Sequence, residues 1–181
     1  MSFKRVCVAM SGGVDSTGSA LLLLRQGYDV FGVTLRLRSD DPRAQEPEIE
    51  AARAAAGVLG ISHTVLDLRD LFRTAVIDRF VSEYAQGRTP NPCLDCNRAV
   101  KFGAMLDWAL EQGADALATG HYAGVAFDDA SGRWQLLRGR DRRKDQSYFL
   151  YQLTQRQLSH LLLPVGEYEK PALRALAEKA G

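Results

Sequence analysis

The sequence is short of cysteine, nearly free of net charge and without a long apolar run. Its three cysteines, Cys7, Cys93 and Cys96, are too few and too closely placed for a disulfide scaffold, so a working cysteine here is catalytic or metal-binding. No segment approaches the ~20 apolar residues of a membrane span; the longest, Leu21 to Leu24, sits inside an amphipathic pattern. Met1 to Arg5 leads straight into an apolar strand without the core or cleavage site of a signal peptide, which predicts a cytoplasmic protein with no membrane partner. A formal charge of +1 over 181 residues gives no global attraction for nucleic acid, so any such affinity has to be local. A Walker loop is missing, and so is the dinucleotide fingerprint, because Gly12 and Gly13 are adjacent and no third glycine follows in place. What is present, 46% hydrophobic and 25% charged residues, suits one globular domain with a sizeable core.

Apolar runs alternate with helix-like stretches. Val6 to Ala9 predicts a buried strand, Ser16 to Gln26 a helix stopped by Gly27, and Asp29 to Leu37 a second strand. Arg38 to Pro47, charged and twice interrupted by proline, predicts a mobile loop. A helix over Ile49 to Leu59, a strand over His63 to Leu68 and a helix over Leu71 to Tyr84 follow, with His63 at a strand end. A long helix, about Asn97 to Gln112, precedes a short strand at Ala116 to Ala118. Ala123 to Phe127 and Trp134 to Leu137 read as a hairpin. Gln146 to Leu153 and Gln155 to Leu162 predict two short helices, and Pro171 opens a last one that closes at Gly181. The alternation predicts an α/β, Rossmann-like fold: a parallel sheet with helices on both faces and ligands beyond the carboxyl ends of its strands.

Four stretches carry chemistry. Met10 to Thr17 joins the first strand to the first helix, and its glycines let backbone N–H groups approach an anion closely. Ser11 and Ser16 offer hydroxyl donors, and the helix end adds a favourable dipole. Asp15 would be repelled by phosphates unless a cation lies between, which makes it a magnesium-directed group. The second stretch, Thr89 to Asn97, holds Cys93 and Cys96 behind two prolines. Cys96 is expected at or next to the first helical turn, where the dipole with Arg98 and Lys101 favours the thiolate. A lone Cys-x-x-Cys also suits half a zinc site, with His121 as the only further ligand, or a redox pair. Cys7, inside the first strand, reads as an inert core residue. In the third stretch, Ala118 to Tyr122, Gly120 allows close approach of a nucleotide and His121 offers a ring to a base; without the other motifs, a capping Thr119 and a core-edge Tyr122 explain it equally. The fourth, Arg133 to Lys144, sets Arg133, Arg138, Arg140, Arg142, Arg143 and Lys144 against Asp141 alone, a patch for a phosphate backbone with aromatics close behind.

Ser11 to Ser16 resembles the pyrophosphatase loop (PP-loop) of the N-type ATP pyrophosphatases, enzymes that transfer AMP to a substrate oxygen. Together with Thr-Pro-Asn-Pro-Cys-x-x-Cys-Asn, Ala-Thr-Gly-His-Tyr and Lys-Asp-Gln-Ser-Tyr-Phe-Leu, it makes nearly the whole chain similar to the tRNA-specific 2-thiouridylases. That resemblance implies a sulfurtransferase that adenylates the C2 oxygen of the wobble uridine with ATP and Mg2+. Sulfur from a cysteine persulfide, supplied by a donor protein, then replaces the oxygen. Carried over by position, Ala9, Met10, Ser11, Gly12, Gly13, Val14, Asp15, Ser16, Leu35 and Gly120 would bind ATP. Asn91, Pro92 and Cys93 would face the target base and Cys96 would be the nucleophile. His121, Lys144, Asp145 and Gln146 would touch tRNA. Leu35 stands where the family often has methionine, a volume-conserving change. On this reading residues 1–181 are the PP-loop catalytic domain, and the family's persulfide-carrying cysteine and further RNA-binding domains lie past Gly181. Two alternatives stay open: an adenylating enzyme with a non-RNA substrate, and an ATP-responsive RNA-binding or sulfur-carrier module without turnover. An iron–sulfur cluster on Cys93 and Cys96 would need a third ligand that the sequence does not show.

Overall fold

The structure, a computed structural model, describes residues 4–38, 41 and 43–179. Its strands are β1 (Arg5–Ala9), β2 (Asp29–Arg36), β3 (His63–Asp67), β4 (Ala116–Ala118), β5 (Ala123–Asp128), β6 (Arg133–Arg138) and β7 (Leu161–Leu162). Five of them form one parallel sheet in the order β3-β2-β1-β4-β7, and β5 with β6 makes the expected antiparallel hairpin. The helices are α1 (Val14–Arg25), α2 (Glu46–Leu59), α3 (69–85), α4 (92–111), α5 (Gln155–Ser159) and α6 (Lys170–Glu178), with α3 and α4 each carrying a π-helical segment, Arg73–Ile77 and Cys96–Met105.

The alternation of β1 explains its central place. Val6 and Val8 pack with Ala20 and Leu23 of α1 and with Ala52 and Ala56 of α2. Cys7 points the other way, into a cluster with Phe102, Met105, Leu106 and Ala109 of α4. A strand buried on both faces is apolar throughout, as its sequence is. The strand order reverses beside β1, where β2 leads to one edge and β4 to the other, and such a switch point leaves a crevice beyond the strand ends.

Several boundaries differ from the sequence reading. Helix α1 starts at Val14, ahead of Ser16, because Gly13 takes extended torsions and serves as the cap. Helix α2 starts at Glu46 with Pro47 in its first turn, so the expected loop at Arg38 to Pro47 is shorter, and Ser39, Asp40 and Pro42 lie outside the described residues. Helix α4 begins at Pro92: the Asn91 side chain accepts the Cys93 N–H at 3.1 Å and caps the turn. The helix expected over Gln146 to Leu153 is one 3-10 turn, Ser147–Leu150. The helix expected over Gln155 to Leu162 stops at Ser159, and Leu161–Leu162 instead pairs with Leu117 and Ala118 as β7. A two-residue strand has no period to read. The expected helix end at Gly181 falls outside the described residues. Among the described residues no helix is long and apolar enough to cross a membrane.

Candidate active site

A cavity of about 310 Å3 opens at the switch point, lined by Met10, Ser11, Asp15 and Ser16 of the first turn, by Thr34 and Leu35 of β2, and by Gly120 and His121 beyond β4. Its size falls in the range of small-molecule sites. Met10 extends the sheet by donating its N–H to the Val33 carbonyl at 2.7 Å, and Gly12 then turns the chain at φ +75°. A Cβ on Gly12 would lie 2.7 Å from Ala51 Cβ, so helix α2 presses directly on the turn. Gly120 is needed for a parallel reason. A Cβ there would lie 2.9 Å from the Asp15 carbonyl carbon and 3.0 Å from the Ser16 nitrogen, where the end of β4 meets the start of α1.

The hydroxyls of this turn serve its shape. Ser16 accepts the Ser11 N–H at 3.1 Å and donates to the Gly13 carbonyl at 2.9 Å. Ser19 donates to the carbonyls of Asp15 at 3.0 Å and Thr119 at 3.2 Å, tying α1 to β4. Ser16, expected as a donor to an anion, is thus buried and internally bonded, while Ser11 stays exposed at the mouth. Thr34 donates to the Met10 carbonyl at 2.8 Å and has His63 Nε2 at 2.7 Å. Since the only hydroxyl proton of Thr34 goes to Met10, His63 must carry its proton on Nε2. Burial, with Arg53 nearby, lowers the His63 pKa and keeps the ring neutral.

Asp15 has a partner that the sequence reading did not foresee. Its carboxylate already has a cation, the Lys170 ammonium of α6, at 2.7 and 2.5 Å from its two oxygens. Tyr122 also donates its hydroxyl to Asp15 Oδ1 at 2.8 Å. Burial, then that hydrogen bond and the Asp15 charge, hold the phenol well above its usual range, so it remains a donor. The chain's own donors fit Mg2+ only in company with phosphate oxygens, because among the described residues no group of three His, Cys, Asp or Glu could hold a metal. The same test goes against an iron–sulfur cluster: Cys93 and Cys96 offer two thiols and no third ligand stands with them among those residues.

The Asn91 cap places Cys93 in the first turn of α4 and Cys96 immediately after it, next to the first turn as expected. Cys93 is exposed, whereas Cys96 is half-buried and begins the π-helical stretch. Burial raises the Cys96 thiol above its ordinary range, opposed by the Lys101 charge and reinforced by Cys93. The expected favouring of the thiolate is therefore overturned; Arg98 is drawn to Asp95, at 3.7 Å. Cys7 is fully buried with its thiol pushed up to about 12, the inert residue expected.

Of the residues expected to bind nucleotide, Ala9, Met10, Ser11, Asp15, Ser16, Leu35 and Gly120 line the cavity; Gly12, Gly13 and Val14 form the turn behind it. His121 and Gln146 line the same cavity. The His121 ring lies against Phe102, with centroids 5.6 Å apart, and its Nδ1 is 2.8 Å from Thr119 Oγ1. Desolvation, with Lys101 nearby, pushes its pKa down to about 3, so it is neutral near pH 7. Gln146 accepts the Tyr122 N–H at 3.0 Å. Burial disfavours the Asp145 charge, yet N–H donors from Gly139 and Ser147 hold its carboxyl below the usual range. Both side chains fix the loop after the hairpin. Lys144 lies on a second cavity with Asp141, Arg143, Lys170 and Arg174. Asn91, Pro92, Cys93 and Cys96 are not among the lining residues of the first cavity, which α4 reaches through Lys101 and Met105.

Sequence reasoning missed Lys170, Thr34, Gln45 and Lys101 as parts of this site. Gln45 accepts the Leu37 N–H at 2.9 Å and donates to the Leu35 carbonyl at 2.8 Å, clamping the end of β2 over the cavity. Of the four, Lys101 had a local signal, as the Lys-Phe after the cysteine motif.

The profile of the family described as tRNA methyl transferase HUP domain matches residues 4–181. The chain belongs to this family. The HUP domain here is 51% identical over 187 residues to tRNA-specific 2-thiouridylase MnmA of Carboxydothermus hydrogenoformans, an alignment covering 97% of this chain and 51% of that protein. It is 48% identical over 190 residues to the protein of the same name from Pelotomaculum thermopropionicum, covering 100% of this chain and 52% of the relative. The resemblance carried by the motifs therefore stands, and the chain spans about half the length of the curated relatives it matches. Solved structures agree on the fold of this HUP domain. A predicted subunit of tRNA methyltransferase from Methanocaldococcus jannaschii superposes with a TM-score of 0.60 at 23% identity, covering 97% of this chain and 74% of that one. The U34-tRNA thiolase NcsA from Methanococcus maripaludis, solved with its [4Fe-4S] cluster, gives 0.57 at 20%, covering 97% and 55%.

Proposed function

We propose that this HUP domain is the nucleotide-binding and adenylating unit of a cytoplasmic tRNA-uridine 2-sulfurtransferase. The observation that carries the reading is the cavity at the switch point, where the turn from Met10 to Ser16, Leu35 of β2 and the Gly120-His121 turn converge in a chain about half identical to proteins named tRNA-specific 2-thiouridylase. The glycine turn and the α1 N-terminus suit phosphates, and Leu35 with Met105 gives the cavity an apolar side for a base. Mg2+, held by Asp15 together with phosphate oxygens, would neutralise the charge of the triphosphate.

The C2 oxygen of the uridine attacks the α-phosphorus and pyrophosphate leaves. The terminal sulfur of a persulfide, brought by a donor protein, adds at C2, and AMP departs with the oxygen. A thiol then attacks the remaining S–S bond, leaving sulfur on the base and a disulfide on the protein side. Cys96 is the nucleophilic cysteine of this chain, with the Lys101 charge opposing the burial that disfavours its thiolate. Arg142, Arg143 and Lys144 meet the tRNA backbone.

The test is pyrophosphate release by the chain with ATP, Mg2+ and tRNA, followed by mass spectrometry of tRNA nucleosides after a persulfide donor is added. Release that depends on tRNA, with 2-thiouridine lost in Cys96→Ser, is the expected result. Release indifferent to tRNA would favour a non-RNA substrate, and no release at all would leave a binding module.

A further inference from the structure

We propose that Lys170 is a polyphosphate-binding residue that exchanges partners, leaving Asp15 for the β- and γ-phosphates when the nucleotide and its metal enter, and so selects ATP over AMP. The proposal rests on the reading of the cavity as an ATP site. Asp15 lies in the first turn of α1 and lines the cavity, yet both its oxygens are taken, Oδ1 by Lys170 and Tyr122 and Oδ2 by Lys170. A cation that binds this carboxylate competes with the ammonium for it, and a metal-bound triphosphate brings both the cation and the acceptor that compensates the lysine.

The displaced ammonium has little room to retreat. The Lys170 N–H is anchored to Asp141 Oδ2 at 3.1 Å. Helix α6 is seated against α1 closely enough that a Cβ on Gly18 would lie 2.7 Å from Leu173 Cδ1. On its far side Lys170 shares the second cavity with Arg143, Lys144 and Arg174 as well as Asp141 and Glu178, so cations outnumber carboxylates there and Asp141 already holds the Lys170 backbone N–H. Its side chain is 20% exposed, so a change of partner within reach of its flexible stem does not require the helix to unfold. An anion in the first cavity is the acceptor this arrangement favours. A plain structural staple would instead lower stability and weaken ATP and AMP alike.

Calorimetry of the chain with Mg·ATP and with AMP separates these outcomes. Lys170→Met is expected to weaken Mg·ATP binding about tenfold or more, the size of a lost charge-assisted hydrogen bond, with AMP affinity changed less than about twofold. Lys170→Arg should keep the preference for ATP. AMP binding checks that each variant is folded; if the Met variant is not, Lys170→Gln, which keeps a donor for Asp15, carries the test. An unchanged ratio of ATP to AMP affinity in the folded neutral variant overturns the role of Lys170 alone. Failure of the unaltered chain to bind either nucleotide overturns the reading of the cavity.

Discussion

Lys101 stands one π turn beyond Cys96, and its charge is what opposes the burial that raises the Cys96 thiol. Insertions of this kind in helices recur at functional sites, and here one side chain faces two tasks, since Lys101 also lines the cavity and depresses His121. Removing the charge in Lys101→Met should make Cys96 less reactive. The pH profile of alkylation in a Cys93→Ser background should move to more alkaline pH, because less thiolate forms at any given pH. An unmoved profile would assign the raised thiol to burial alone.

Gly120→Ala should destabilise the fold by about 1–3 kcal/mol, the range of an overpacked site, because the new methyl meets the backbone of Asp15 and Ser16, which cannot swing aside. Urea denaturation measures it. Gly57→Ala, at a helical position with nothing within 4 Å, should be neutral or slightly stabilising and serves as the control.

Much of this was legible where the signal is local. Gly12 must turn left-handed beside a buried strand, and the adjacent residues dictate it; the Asn91 cap that starts α4 at Pro92 went unread, although its signal is equally local. Lys170 gave no sign of its place, because nothing near it in sequence refers to Asp15, 155 positions away. Gln45 and Thr34 were silent likewise, their partners being backbone groups and, for Thr34, the His63 ring, which only the folded sheet brings near. The error at Cys96 has a related cause. Neighbouring charges can be read from sequence, but burial cannot, and burial is the larger effect on that thiol.

His121 should make the fold acid-sensitive. Its pKa is about 3 in the folded chain against an ordinary 6.5, so below pH 6.5 the unfolded state binds the extra proton. Its contribution is full above pH 6.5 and is lost as pH falls toward 3, at up to about 1.4 kcal/mol per pH unit. His63, also depressed, acts in the same direction. His121→Gln should flatten the decline in urea midpoint between pH 7 and pH 5, and an equally steep decline would place the acid sensitivity elsewhere.

Neutralising Arg142, Arg143 and Lys144 together should lower tRNA affinity and flatten its dependence on salt. The slope of log affinity against log salt should fall by roughly 0.9 for each phosphate of a duplex-like backbone that the protein no longer neutralises. An unaltered slope would return this rim to an ordinary solvated surface.

The Asp15–Lys170 pair closes a loop of 155 positions, and that distance sets an order of events during folding. Closing so long a loop before other interactions exist costs chain entropy with little return, whereas β1 pairs with β2 locally, Arg5 opposite Asp29. The ion pair can form only once α6 has docked on α1. In refolding, competence to bind triphosphate should lag behind the recovery of helix and sheet, making nucleotide binding a marker for the last stage of assembly.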